Sequence, residues 1–301
     1  MTVGPAGRRV SIGFKTSPQG VDWTTLDETW AAAGELPVFD SGWLNDHLTD
    51  LDEVSPGPSF ESLTLLGTLV HRVPGLWVGH GVLSNTFRRP AILAKAATVL
   101  DHATGGRFVL GLGAGWFEGE HEPFGIRLPP PRERIDRLES AVGVLQALFS
   151  EAAFAPPGVT RPDPFYPLAG ATNLPRPIHP GGPALVLGGQ KPRGIALAAS
   201  AAAGWILPGL NAGDADYVAA RRDELMRAME AIGRDPTGFA VIGQVHVADG
   251  LDWGPTAVAS ARGLIRAGAT HIVLGIPAAT GPDFLRRVAR EVAEPLREAF
   301  E

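Results

Sequence analysis

Asp46 and His47 stand side by side in Trp43-Leu44-Asn45-Asp46-His47, at the end of a short apolar run. An imidazole close to neutrality can give or take a proton, and a neighbouring carboxylate can orient it. A helix cap beside a surface histidine is the competing reading. In Gly79-His80-Gly81-Val82-Leu83-Ser84-Asn85, two glycines flank a histidine inside a strand-like segment. Glycine weakens a strand interior and marks a bulge or a close approach of backbone to a ligand, although tight packing gives the same pattern. Gly111-Leu112-Gly113-Ala114-Gly115-Trp116 has almost no side chains at its exit, so a planar or anionic ligand could meet backbone N–H groups there. It is not a dinucleotide fingerprint: its last glycine comes too early, and the next helix starts about fifteen residues on. Glu118, Glu120, His121 and Glu122 follow, but loop spacing without a helical i, i+4 pair is a poor metal set, and no metal is expected. Gly188-Gly189-Gln190-Lys191-Pro192 leads straight into a helix with proline in its first turn. The free N–H groups of such a turn and the helix dipole suit a phosphate, and Lys191 adds charge; a bland cap is the alternative. Arg88-Arg89 reads either as solvated surface or as a contact for an acidic ligand.

The composition narrows what these groups can do. The 301 residues contain no cysteine, which excludes disulfides, Cys-ligated metals and thiol nucleophiles. With 45% hydrophobic and 19% charged residues, the chain is globular. A net charge of −6 argues against a nucleic-acid partner. Lysine occurs only at Lys15, Lys95 and Lys191, none read as deep enough for a Schiff base. Met1–Arg9 lacks the apolar run of a signal peptide. The uncharged stretch 194–212 is rich in Ala and Gly and broken by Pro208, so it reads as a buried helix and strand rather than a membrane span. With no nucleophile triad, metal cage or Schiff-base lysine, a bound cofactor is expected to carry the chemistry.

Short β-type runs alternate with amphipathic helical runs. The strands are Val10–Phe14, Val38–Leu44, Leu76–Val82, Arg107–Gly113, Ala184–Gly188, Trp205–Pro208, Phe239–Val247 and His271–Ile276. The helices between and after them are Trp23–Ala33, Phe60–Arg72, Pro90–Ala103, Pro131–Phe149, Pro192–Ala202, Ala215–Ile232, Thr256–Ala267 and Pro282–Ala299. Strict alternation through eight units predicts an α/β (β/α)8 TIM barrel occupying residues 1–301 as one domain. Extra chain lies after the fourth strand, at Ala114–Pro130, and before the fifth, in the proline-rich Ser150–Pro183. In such a barrel the loops after the strands carry the site, and every candidate above lies on one.

Residues 90–126, PAILAKAATVLDHATGGRFVLGLGAGWFEGEHEPFGI, resemble the luciferase-like superfamily of flavin- and deazaflavin-dependent oxidoreductases. SGWLNDHL at 41–48 and PALVLGGQK at 183–191 fall where that family's patterns fall, and the likeness spans most of residues 10–210. The GAGW-x-x-x-EH pattern at Gly113–His121 and the pair Asp46–His47 look most like the branch that uses coenzyme F420. The resemblance implies a cofactor on the C-terminal face of the barrel. Asp46 would contact the ring and His47 would lie near the reactive carbon. Gly81–Val82 would be a non-prolyl cis peptide in a bulge, pressing on the ring. Ser84, Gly113, Ala114 and Gly115 would complete the ring wall, and Gly188, Gly189, Gln190 and Lys191 would hold the phosphate. Trp116 and Glu120 would line the substrate side. The acidic lactyl–oligoglutamate tail of F420 is expected to meet Arg88, Arg89, Lys191 and Arg193. Trp116 replaces a glutamate that is catalytic in the branch member acting on glucose 6-phosphate, so that substrate does not carry over. Ala203 likewise replaces the family's usual aspartate.

The expected function is hydride transfer between F420 and an organic small molecule, with His47 as proton donor or acceptor. FMN-dependent monooxygenation and non-catalytic flavin binding are the alternatives. A cytoplasmic homodimer is expected.

Overall fold

The computed structural model describes residues 3–5, 7, 9–51, 57–207, 213–247 and 252–300. Nine segments form one parallel sheet: β1 (Ser11–Thr16), β2 (Ser41–Leu44), β3 (Trp77–His80), β4 (Leu83–Ser84), β5 (Phe108–Gly113), β8 (Ala184–Gly188), β9 (Gly204–Ile206), β10 (Ala240–His246) and β11 (His271–Gly275). β6 (Val159–Arg161) and β7 (Leu168–Ala171) are a separate antiparallel hairpin inside the second long insertion, which the sequence read as mostly loop. The sheet closes because β3 also pairs with β5. β3 and β4 are two halves of one barrel strand, so the barrel has eight strands, as the alternation predicts.

The helices are α1 (Trp23–Gly34), α2 (Ser62–Leu69), α3 (Pro90–Ala103), α4 (Pro131–Leu148), α5 (Pro192–Ala201), α6 (Ala215–Ala231), α7 (Trp253–Arg266), α8 (Gly281–Val288) and α9 (Glu294–Phe300). Their starts follow local chemistry. Asp22 caps α1 by accepting from Thr25 N–H at 3.0 Å, and Glu61 caps α2 by accepting from Leu63 and Thr64 N–H. Proline opens α3, α4 and α5. The long C-terminal helix expected from 282 is broken into α8 and α9 by a π turn at Ala289–Ala293. The sixth predicted strand ends at Ile206; its last residue, Pro208, lies outside the described residues.

Two apolar layers hold the barrel. The outer one packs Ile12, Phe14, Leu44, Leu110 and Leu112 against helix residues such as Leu26, Trp30 and Leu66. The inner one fills the bore with Trp43, Val109, Val186, Ile206, Ile242 and Val273. The alternation of strand side chains assigns residues to the two layers.

The broken strand shapes the site. Gly79 pairs with Val109, and Leu83 pairs with Leu112, so four steps along β3–β4 face three along β5. The extra residue is a bulge, and within it the Gly81–Val82 peptide is cis, as expected. The displaced backbone brings the His80 carbonyl against β5, where a β-carbon on Gly111 would lie 1.8 Å from that oxygen. Gly111→Ala is therefore expected to destabilise the fold by about 3 kcal/mol or more, since the obstructing atom is backbone and cannot rotate away. A urea midpoint within error of the parent protein would show that the bulge can move.

Candidate active site

The mouth of the barrel gathers most of the residues singled out from sequence. Val82 projects from the bulge toward the exits of β5 and β8. A β-carbon on Gly113 would meet Val82 Cγ2 at 2.7 Å, and one on Gly188 would meet it at 3.1 Å. Gly81 and Val82 are only half-buried, so this wall is accessible from the mouth.

His47 leaves β2 and points its Nδ1 at Glu120, 3.0 and 3.2 Å from the two carboxylate oxygens. Leu48 N–H also donates to Glu120, at 2.8 Å. Glu120 is buried in the loop after β5. The imidazole lies edge-on to Trp116, centroids 5.8 Å apart, and to Phe117 at 6.2 Å. With Nδ1–H donated to the carboxylate, Nε2 is the ring's remaining site, and it has no hydrogen bond among the described residues. Trp116 is 64% exposed beside it. An exposed indole flanking a histidine at a barrel mouth is a surface ready to cover an organic ligand.

Asp46 does not touch His47. Its carboxylate takes a two-pronged pair from Arg88, at 2.6 and 2.8 Å, and the N–H of Ser84 at 2.7 Å. Arg88 also bonds Glu61 at the start of α2. Burial alone would raise the Glu61 carboxyl, but its bonds to Thr64 and Arg88 outweigh this and hold it at about 2. Arg88 is thus committed to two carboxylates, and Arg193 to Asp136 and Glu139. Both arginines, expected to meet an acidic tail, are thus paired with carboxylates of the fold itself. The orienting group of His47 is Glu120, which the sequence had assigned only to lining the substrate side.

His80 faces out of the barrel. It is fully buried against α2, with Nε2 donating to Ser62 O at 3.2 Å, and burial lowers its pKa to about 4. It is a neutral core histidine. His121 is turned away from the neighbouring glutamates: its Nδ1 donates to Phe117 O at 2.6 Å and its Nε2 meets Thr86 Oγ1 at 2.8 Å. Thr86 in turn meets Ser84 Oγ at 2.6 Å, so a line of polar groups runs from the buried loop to the bulged strand.

At the exit of β8, Gly189 O accepts from Trp205 Nε1 at 2.6 Å, and Gln190 Oε1 accepts from Tyr217 OH at 2.8 Å. These contacts fix the turn. Lys191 is the N-cap of α5 and makes no side-chain cap bond, so the first-turn N–H groups are not capped by it. A cleft of about 260 Å³ is lined by Phe149, Gly181–Leu185 and Arg234. It lies at the opposite end of β8, away from the strand exits, and none of the site residues lines it.

Sequence reasoning missed Lys15. It is the fifth residue of β1, in register with Trp43 and Gly275, and its inward parity places it in the bore just below the mouth. Its ammonium donates to Gln244, which donates to Leu207 O at 2.9 Å. Burial lowers Lys15 from 10.5 to about 8. The signal was available: a lysine at an inward position of a fully buried strand.

The luciferase-like monooxygenase family pattern matches residues 17–252, and the chain belongs to this family. It is 30% identical over 230 residues to a phthiodiolone/phenolphthiodiolone dimycocerosates ketoreductase of Mycobacterium tuberculosis (68% of this chain, 56% of that one). It is 31% identical over 175 residues to an F420-dependent glucose-6-phosphate dehydrogenase of Kineococcus radiotolerans (58% of this chain, 50% of that one). The match therefore spans about half the length of these relatives. Among solved structures, an F420-dependent secondary alcohol dehydrogenase in complex with an F420–acetone adduct superposes with a TM-score of 0.81 at 17% identity, covering 96% of this chain and 99% of the other. A long-chain alkane monooxygenase superposes at 0.77 and 15%, covering 97% and 92%. These two confirm the fold.

A native-state consequence follows from Lys15. Its folded pKa is lowered, so between about 8 and 10.5 the unfolded chain binds the extra proton. Stability contributed by this group should therefore rise with pH across that window, as the penalty for a buried charge disappears. Lysine-selective NMR, with three lysines in all, should show a signal titrating near pH 8 that vanishes in Lys15→Met. A Lys15 signal titrating near 10 would place the amine in contact with solvent.

Proposed function

We propose that this chain is an F420-dependent oxidoreductase that moves a hydride between the deazaflavin and an organic small molecule, of the carbonyl–alcohol type. The observation that carries the reading is His47, clamped through Nδ1 on buried Glu120 with Nε2 left for a substrate oxygen. The names of the relatives support it: a ketoreductase and two F420-dependent dehydrogenases.

The residues present fit the cofactor. A side chain on Gly113 or Gly188 would collide with Val82, so the wall is kept flat for a ring. The α5 first turn after Gly188–Gly189 lacks a side-chain cap, which suits a phosphate beside Gln190 and Lys191. Asp46, fixed by Arg88 and Ser84 N–H, stands beside this wall as an anchor for the ring edge. When bound, the deazaflavin supplies two-electron hydride chemistry.

His47 Nε2 gives a proton to the substrate oxygen during reduction and takes it back during oxidation. Glu120 holds the Nδ1 proton and stabilises the charged imidazolium in either direction. Trp116 and Phe117 cover the substrate and exclude water from it. Trp116 stands where the glucose-6-phosphate enzymes carry glutamate, which supports a less polar substrate. FMN would meet the same flat wall, and a monooxygenase using it is the second reading, favoured by the family's name. The site is read as serving a cytoplasmic enzyme with no nucleic-acid or membrane partner. Among the described residues no helix is long and apolar enough to cross a membrane. A homodimer is supported by Ile92 and Val99, seven residues apart on α3 and each 67% exposed.

Titration with F420 and with FMN, followed by absorbance, tests the choice. F420 is expected to bind tightly; binding of FMN alone would select the monooxygenase. His47→Ala is expected to lower kcat about 10²–10⁴-fold while shifting the cofactor Kd less than about threefold. Unchanged turnover would reduce His47 to a pocket wall.

A further inference from the structure

Lys15, Gln244, His246 and Gly275 make up one side of the barrel mouth. Ile12 and Phe14 pack outward, so Lys15 points into the bore. Ile242 and Val273 pack inward, and by the same alternation so do Gln244, His246 and Gly275 further along their strands. Gly275 pairs with Lys15 on one side and with His246 on the other. The two bases therefore flank a position that has no side chain, where a β-carbon would lie 3.3 Å from His246 Nδ1. His246 reaches solvent at the rim and Lys15 is 7% exposed, so this notch runs from the rim into the bore.

The notch holds donors that lack acceptors. Lys15 carries three N–H groups and gives one of them, to Gln244 Oε1. Gln244 is itself held, by donating to Leu207 O at 2.9 Å, which keeps its oxygen turned to the lysine. Among the described residues no carboxylate lies within ion-pair distance of Lys15, and His246 makes no hydrogen bond. A buried ammonium without a counter-ion is costly. His246 carries a sign of the same deficit: partial burial and then the charge of Lys15 lower its pKa. An anion between the two bases would satisfy the spare donors and relieve the repulsion. In the ring of eight staves β11 stands four places from β5, directly across the bore. Gly275 thus looks over at Gly113 and the flat wall, and β1 adjoins β2, whose exit carries His47. A molecule lying between that wall and His47 has the notch at its far side.

We propose that this notch binds a carboxylate of the substrate, with its oxygens on Lys15 Nζ and the His246 imidazole, so that the compound reduced or oxidised is an oxo acid or a hydroxy acid. This rests on the hydride-transfer reading and narrows its substrate class. The space of one missing side chain suits a flat group of two oxygens, and the body of the molecule beyond it lies under Trp116 and Phe117. The carboxylate takes no part in the electron transfer: on reduction the carbonyl gains the hydride that the cofactor loses and the proton that His47 gives.

Calorimetric titration of the protein without cofactor, at about pH 7 where Lys15 is charged, tests the site by itself. The probes are straight-chain carboxylates from acetate to octanoate, the alcohols of equal length, and inorganic phosphate. The best acid is expected to bind about tenfold or more tighter than its alcohol. Lys15→Met is expected to remove the difference, and so is Gly275→Ala, which fills the notch without changing charge. Saturation with the acid, but not with the alcohol, is expected to raise the titration of the Lys15 NMR signal by about one pH unit. No preference for acids, a preference that survives Lys15→Met, or phosphate bound as tightly as the acids would overturn the proposal. In the F420-loaded protein, kcat/KM for oxo acids is expected to exceed that for their methyl esters about tenfold, and Lys15→Met is expected to bring the two level. Equal use of acid and ester by the parent overturns the proposal and leaves hydride transfer standing. Acid binding without any F420-linked turnover overturns the hydride-transfer reading and leaves the carboxylate site standing.

Discussion

The carbonyl oxygen of His80 occupies the space where any residue but glycine at 111 would carry its β-carbon. That contact joins the bulged strand to its neighbour, and the mouth of the barrel depends on it. With one extra residue between Gly79 and Leu83, the backbone lifts Val82 over the exits of β5 and β8. Gly113 and Gly188 then make room for the valine. A barrel strand is ordinarily a passive stave whose side chains alternate in and out. Here the stave itself forms part of the floor of the site.

Charge is arranged around this floor in compensated sets. Asp46, Arg88 and Glu61 form one chain from the mouth to the start of α2, so an aspartate at the exit of β2 is held by a helix cap fifteen residues away. His47 and Glu120 form another. Removing one member of such a buried set costs more than the set contributes, because the partner's charge remains buried alone. This couples the position of His47 to the loop after β5, which differs in length and content from an ordinary barrel connection.

Much of this was legible in the sequence, for definite reasons. The Gly-His-Gly run marked either a bulge or tight packing, and the family resemblance pointed to the bulge. The β5 and β8 exits were legible because missing side chains leave the backbone as the binding group. What escaped were pairings across distance. Arg88 looked free because its partners lie 42 and 27 residues back in the chain. Glu120 looked like a pocket wall because nothing local shows that a loop returns over His47 from 73 residues on. The β6–β7 hairpin was hidden by its prolines, which usually argue against a strand. Lys15 was missed because the strand read from the sequence stopped at Phe14, one residue short of it, whereas β1 runs on to Thr16.

The line of polar groups ending at Ser84 has a direction. In the neutral ring with its proton on Nδ1, bonded to Phe117 O, the Nε2 of His121 accepts, and the proton it accepts is that of Thr86. Thr86 Oγ1 therefore receives the proton of Ser84. In that arrangement the Ser84 hydroxyl has no proton left to offer and shows lone pairs alone. A carbonyl placed beside it would meet another acceptor, while an N–H or O–H would be welcomed. A buried histidine two hydrogen bonds away thus sets the polarity of the group that Ser84 presents.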